Sequence, residues 1–270
     1  MSNTARTLEK PSWLLLLAEM RAVAEFGLTL ASAPVLLTAP RGDGHPVLVL
    51  PGLLAGDLST VLLRRYLAHL CYEVHPWKLG RNVGGVYRMR TAVRDRIAHI
   101  RSASGRKVSL IGWSLGGVYA RDAAVAMPES IRSVITLGSP FANDLTATNV
   151  GSIYAMLSGE SAATANPDDV RALGGDLSVP TTAIYTKADG IVNWRTSVLQ
   201  ENDRSENIEI LFASHSGLGV NPAVLWAIAD RLRIPEGEFE PFSKDGPFSS
   251  SYANADRMNR EQGCPGEQGR

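Results

Sequence analysis

The chain of 270 residues has only two cysteines, Cys71 and Cys264. One sits in an apolar pattern and the other in a polar tail, so no structural disulfide is expected. That usage is compatible with a reducing compartment. Neither charge is in surplus, with 27 basic and 27 acidic residues. A nucleic-acid binder normally carries a basic footprint, so no nucleic-acid partner is expected. A long uncharged run is missing too. "WLLLLAEMRAVAEFGLTLASAPVLL" is apolar, but Glu19, Arg21 and Glu25 interrupt it, and a spanning helix needs about 18 uncharged apolar residues or more. "ASA" at 31–33 imitates a leader cleavage site, yet Pro34 follows directly and the charges fall inside the apolar stretch. Residues 1–40 therefore read as a docked N-terminal helical segment. A leader, or an interfacial anchor making peripheral membrane contact, is the alternative. A cytoplasmic protein is expected, with secretion or a membrane-peripheral location as the other readings. The five histidines are dispersed and no H-E-x-x-H or C-x-x-C occurs, so no metal or other cofactor is expected.

What is present is a rhythm of short apolar runs and helical patterns. "PVLVLPGL" (46–53), "YEVHPW" (72–77), "KVSLIGWS" (107–114), "IRSVITLGSP" (131–140), "PTTAIYTKAD" (180–189) and "NIEILFAS" (207–214) read as strands. Helical spacing appears over 59–70, from Val86 to Ile100, over 116–127 and over 221–234. In the last of these Asn221 can cap and Pro222 suits the first turn. Arg90, Arg94, Arg96 and Arg101 read as a solvated helix face rather than an anion site. Strands alternating with helices predict an α/β fold with a mostly parallel sheet covered on both faces. The main domain is expected over 41–234. Residues 142–178 interrupt the rhythm and suggest a small cap or lid. The polar, Gly- and Pro-rich stretch 235–270 is expected to be a disordered tail.

The most informative stretch is "LIGWSLGGVYA" at 110–120. Gly112, Ser114 and Gly116 satisfy G-x-S-x-G at a strand-to-helix junction, where tiny residues on both sides of a serine permit a strained turn that exposes its hydroxyl. Ser114 is either the cap of the next helix or a nucleophile. A nucleophilic serine needs a base and a group to orient that base. His69 and His99 fall in helical patterns, and His45 lies at the start of a strand. His75 is a secondary candidate. His215 follows the last strand in "SHSGLGVNP", where open α/β sheets place their sites, and is favoured. Asp144, Asp168, Asp169 and Asp176 belong to the excursion. Asp189, in "TKADGIV", ends the penultimate strand and is either a turn residue or the orienting acid. The backbone N–H groups of Leu53 and Leu115 are the candidate oxyanion donors. Leu54, Trp113, Tyr154, Met156, Leu157 and Trp194 are candidate substrate contacts; the excursion residues are equally cap core, and the two tryptophans line the cleft or pack beneath it. Arg81 and Asn82 contact substrate or pin loops.

Together, "GWSLGG", "TKADGIV" and "SHSGLGVNP" resemble the α/β-hydrolase superfamily, on its bacterial lipase and esterase side. The resemblance covers roughly 44–234. It implies a Ser114–Asp189–His215 triad, a cap over the site, and cleavage of a small-molecule or lipid-like ester through an acyl-enzyme. An acyltransferase or thioesterase with the same triad, or a noncatalytic binding protein, is the alternative. Pro51 stands where the family commonly has a histidine.

Overall fold

The apolar runs become strands in the computed structural model, which describes residues 11–84, 86–141 and 173–253. They are β1 (Pro46–Leu50), β2 (Glu73–Pro76), β3 (Val108–Trp113), β4 (Ile131–Leu137), β5 (Thr181–Tyr185) and β6 (Ser205–Glu209). All pairings are parallel, in the order β2-β1-β3-β4-β5-β6. Every residue of β1 is buried, as expected of a strand covered on both faces. The two-residue strand period then divides its side chains. Val47 and Val49 enter one core with α4 (Val61–His69) and the C-terminal helix Pro222–Leu232. Leu48 and Leu50 enter the other, with α5 (Val86–Ser104) and α6 (Leu115–Ala126).

The chain runs from β1 outward to β2 and then crosses back to β3 on the other side of β1. In open α/β sheets ligands usually sit beyond the strand C-termini where the order reverses, which here is the end of β1 and β3. In register, Leu50 lies opposite Gly112, Trp113 opposite Leu137, and Leu137 opposite Ile184. The turns that leave β1, β3, β4 and β5 are thereby gathered at one edge.

Two expectations need correction. The last strand begins at Ser205 and ends at Glu209, and the apolar residues that follow leave the sheet. Ile210 forms an antiparallel bridge with Tyr252 instead. The stretch from 235 onward is also not a loose tail as far as Ala253. Phe242 and Tyr252 are buried and meet edge to face, with ring centroids 4.8 Å apart. The Tyr252 hydroxyl donates to the Ala223 carbonyl at 2.9 Å, and the Phe242 N–H donates to Glu206 Oε2 at 2.7 Å. Its polar composition hid a few aromatic anchors. Phe242→Ala is expected to lower unfolding free energy by about 3 kcal/mol in urea titration; a loss below about 0.5 kcal/mol would mean that the anchor contributes nothing. Residues 254–270 lie outside the described residues.

The N-terminal segment is helical as expected: α1 (Trp13–Ala18), a single 3-10 turn (Glu19–Arg21), α2 (Ala22–Ala31) and α3 (Ala33–Leu36). Its polarity is reversed relative to an ordinary surface helix. Glu25 and Thr29 are buried, whereas Trp13, Leu17, Met20 and Val23 are each more than 60% exposed. Among the described residues no helix is long and apolar enough to cross a membrane.

Candidate active site

Ser114 stands between β3 and α6 with φ 53° and ψ −120°. This is a strained conformation for a residue with a side chain. Its hydroxyl makes no capping bond to α6, so the capping reading fails. The turn survives because Gly112 and Gly116, two residues before and after the serine, have no side chains. A Cβ on Gly116 would collide with the Leu50 carbonyl, and one on Gly112 would collide with the backbone of Gly117. The Ser114 N–H donates to the Leu137 carbonyl at 2.8 Å. Ser114 itself is only half-buried.

The sequence-predicted acid and base meet. His215 Nδ1 lies 2.6 Å from Asp189 Oδ2, and both side chains are almost fully buried. The other oxygen of Asp189 accepts the N–H groups of Ile191 at 2.8 Å and Val192 at 2.6 Å. The carboxylate therefore has one fixed orientation. Gly138, in the turn after β4, lines the pair: a Cβ there would sit 3.0 Å from His215 Nδ1. The Trp113 indole N–H donates to the His215 carbonyl at 3.1 Å, which ties the serine turn to the histidine loop.

Leu53 and Leu54 lie in the turn after β1, and a Cβ on Gly52 would be 3.3 Å from the Ser114 Cβ. Asn82 holds this turn. Its side-chain amide donates to the Pro51 carbonyl at 2.9 Å, its carbonyl accepts the Leu54 N–H at 2.6 Å, and its N–H donates to Ala55 at 2.8 Å. Arg81 Nε adds a bond to the Leu54 carbonyl at 2.8 Å. Asn82 and Arg81 therefore pin loops. Leu115 opens α6 beside Ser114.

The remaining candidates separate. Trp113 acts as a strut, through the bond just described. Trp194 stacks on Tyr185 at 5.8 Å, with Lys187 and Arg195 over its ring. Its described contacts are with that cluster, not with the triad residues. Leu54 is half exposed. Tyr154, Met156 and Leu157 lie outside the described residues, as does most of the 142–178 excursion. His75 pairs with Glu73 on its own strand at 3.0 Å. The arginines read as a solvated face instead tie α5 to its surroundings. Arg90 and Arg94 both bind Asp122 at 2.8 Å, and Arg96 reaches the Pro76 carbonyl.

A hydrogen-bonded Ser–His–Asp chain occurs at the opposite end of the sheet. His45 Nδ1 is 2.6 Å from Asp43 Oδ1, and Nε2 is 2.9 Å from Ser109 Oγ. Both His45 and Ser109 are wholly buried, so no substrate reaches them, and Ser109 lies within a strand rather than on a turn. Burial, aided by Arg132 and Arg106, pushes the His45 imidazole down to about 4 against the pull of Asp43. Burial raises the Asp43 carboxyl, but hydrogen bonds from Arg132 and His45 outweigh it and hold the group well below the usual range. Unfolded His45 takes up a proton near pH 6.5 that the folded chain refuses. Its contribution to stability is thus complete above that pH and falls as the pH drops toward 4. The loss amounts to about 3 kcal/mol at the acid end. Urea unfolding between pH 4 and 7 is expected to show a shallower slope in His45→Gln than in wild type. Equal slopes would refute the assignment.

The chain is a six-stranded parallel sheet with a serine on the turn after β3 and an Asp–His pair after the later strands. It is similar to lipase B of Aspergillus fumigatus, with 19% identity and a TM-score of 0.56, covering 74% of this chain and 55% of that one. The chain thus spans about half of that longer protein. It is also similar to a monoacylglycerol lipase of Paleococcus ferrophilus, at 17% identity and TM-score 0.51, covering 71% of this chain and 96% of the other. A mature lipase of Bacillus licheniformis aligns at 14% identity and TM-score 0.52, covering 73% and 95%. The chain has the α/β-hydrolase fold. No family model and no curated protein matches the sequence. No group of three or more His, Cys, Asp or Glu suited to a metal ion occurs among the described residues.

Proposed function

We propose that the protein is a serine hydrolase that cleaves carboxylic esters through an acyl-enzyme on Ser114. The observation that carries this reading is the buried 2.6 Å contact between His215 Nδ1 and Asp189 Oδ2, together with a half-exposed serine in a strained turn whose preceding residue, Trp113, is hydrogen-bonded to the His215 carbonyl. His215 takes the proton of Ser114 through Nε2 as the hydroxyl attacks the ester carbonyl. The tetrahedral oxyanion is held by the N–H groups of Leu53 and Leu115. His215 then protonates the leaving alcohol, and the acyl group stays on Ser114. In the second half, His215 removes a proton from water, which attacks the acyl-enzyme and releases the carboxylic acid. Asp189 keeps the proton of the neutral imidazole on Nδ1 and stabilises the imidazolium.

The preferred substrate is a small ester with an apolar acyl chain, in keeping with Leu53 and Leu54 in the turn beside the serine. The reaction as written needs no cofactor. The test is hydrolysis of p-nitrophenyl esters across a range of acyl lengths, run with and without competing alcohol and thiol acceptors. Release of free acid that tracks fluorophosphonate labelling of Ser114 is expected. Preferential transfer to an acceptor would reassign the same triad to acyl transfer. Absence of labelling in folded protein would remove the nucleophile and leave a binding role.

A further inference from the structure

The acid and the base of this site are held on two separate loops, and both loops are fastened to the N-terminal helices. Glu19 Oε1 accepts the N–H of Gly190 at 3.0 Å and the N–H of His215 at 3.1 Å. Its other oxygen accepts the N–H of Ser216 at 2.8 Å. One carboxylate thus bridges the residue after Asp189 and the backbone of the histidine itself. Arg21 repeats the bridge with opposite sign: Nη2 donates to the Ala188 carbonyl at 2.6 Å and to the Ala213 carbonyl at 2.9 Å. Glu25 completes the histidine side. Its Oε1 accepts the Ser214 N–H at 2.8 Å and the Ser214 hydroxyl at 2.6 Å, and its Oε2 accepts the Asn221 amide at 2.8 Å.

The three charges that interrupt the apolar N-terminal run are therefore all turned toward the loops. The loops are shaped to receive them. A Cβ on Gly190 would collide with the Leu15 backbone, and one on Gly217 would collide with the Glu25 carboxylate. Burial raises the Glu19 carboxyl, but its bonds to Ser216, Gly190 and His215 prevail and hold it below the ordinary value. It stays ionised, as an acceptor of several N–H groups must.

We propose that Glu19 is a positioning residue for the Asp189–His215 pair: by bridging the two loops it sets the imidazole where it can take the Ser114 proton. Arg21 and Glu25 support the same register. This rests on the triad reading above. Small displacements of a base cost rate rather than binding, because only the proton-transfer geometry changes. A residue that merely stabilised the fold would change the fraction of active molecules and leave the turnover of each unchanged.

The full chain carrying Glu19→Ala is expected to lose about 100-fold in kcat per active serine, counted by fluorophosphonate titration, with KM within about twofold of wild type. Glu19→Gln keeps the length and one acceptor oxygen, and is expected to recover to within about tenfold of wild type. Met20→Ala, on the exposed side of the same turn, is expected to leave kcat unchanged. A Glu19→Ala kcat per active serine within about twofold of wild type would overturn the proposal, as would a loss confined to melting temperature or active fraction. If Glu19→Ala fails to fold, Glu19→Gln decides, since its partial loss must fall in kcat and not in KM.

Should wild type show no Ser114-dependent turnover, the triad reading fails while the positioning claim is still measured. The readout is then the downfield imidazole N–H proton resonance of the short His215–Asp189 bond, identified by its absence in His215→Ala. Loss or marked shift of that resonance in Glu19→Gln supports positioning, and an unchanged resonance overturns it.

Discussion

Ser114→Ala is expected to lower ester turnover by at least about 10⁴-fold while leaving stability within about 0.5 kcal/mol of wild type. The reasoning is geometric. Ser114 sits at φ 53° whichever small side chain it carries, because Gly112 and Gly116 permit the close approach of strand and helix. Its hydroxyl caps nothing, so removing one oxygen from a half-exposed side chain costs the fold little. It does remove the only atom that the Asp189–His215 pair can activate in the proposed mechanism. What survives is the contribution of the oxyanion donors and of substrate binding to attack by water. Steady-state hydrolysis of p-nitrophenyl esters, paired with thermal unfolding of both proteins, checks both halves. Turnover near the wild-type rate in the variant would remove Ser114 from the mechanism.

Asp189→Asn is expected to cost about 10⁴-fold in kcat with the loop intact. Asp189 Oδ1 is held by the N–H groups of Ile191 and Val192. An asparagine satisfies those donors only with its carbonyl oxygen in that place. Its NH2 group then faces His215 Nδ1, where the carboxylate oxygen stood at 2.6 Å. Two donors cannot share that contact, so Nδ1 must become the acceptor and the proton moves to Nε2. A protonated Nε2 cannot accept the serine proton. Rates measured as a function of pH test this. A loss of less than about tenfold at every pH would show that Asp189 serves only as a turn residue.

Much of this candidate site is legible in the sequence alone. The glycine spacing around Ser114, the position of His215 after the last strand and the glycine turn after Asp189 are local patterns, and the strand and helix periods that place them are local as well. The fold's alternation of buried strands and amphipathic helices was legible for the same reason: burial on both faces leaves unbroken apolar runs such as Val47–Leu50. Where the pattern misled, long-range contacts were responsible. The stretch after 235 is polar on average, yet Phe242 and Tyr252 bring it onto the core. Trp113 and Trp194 have the composition of a binding cleft. One is hydrogen-bonded to the His215 carbonyl and the other packs against Tyr185 and two cations.

Residue order and periodicity alone settled a buried parallel sheet, a strained serine between glycines, and an N-terminal run too charged to span a membrane. Only the folded chain decided what those charges were for. Glu19 and His215 are 196 positions apart, and no periodicity relates them. A single carboxylate among leucines looks like an interruption until the loops it bridges are in place. The same holds for the candidate triad and the buried Ser–His–Asp chain. Both use the same side chains at the same contact distance of 2.6 Å between histidine and aspartate. Burial separates them, since solvent reaches the turn at Ser114 and does not reach Ser109 within its strand.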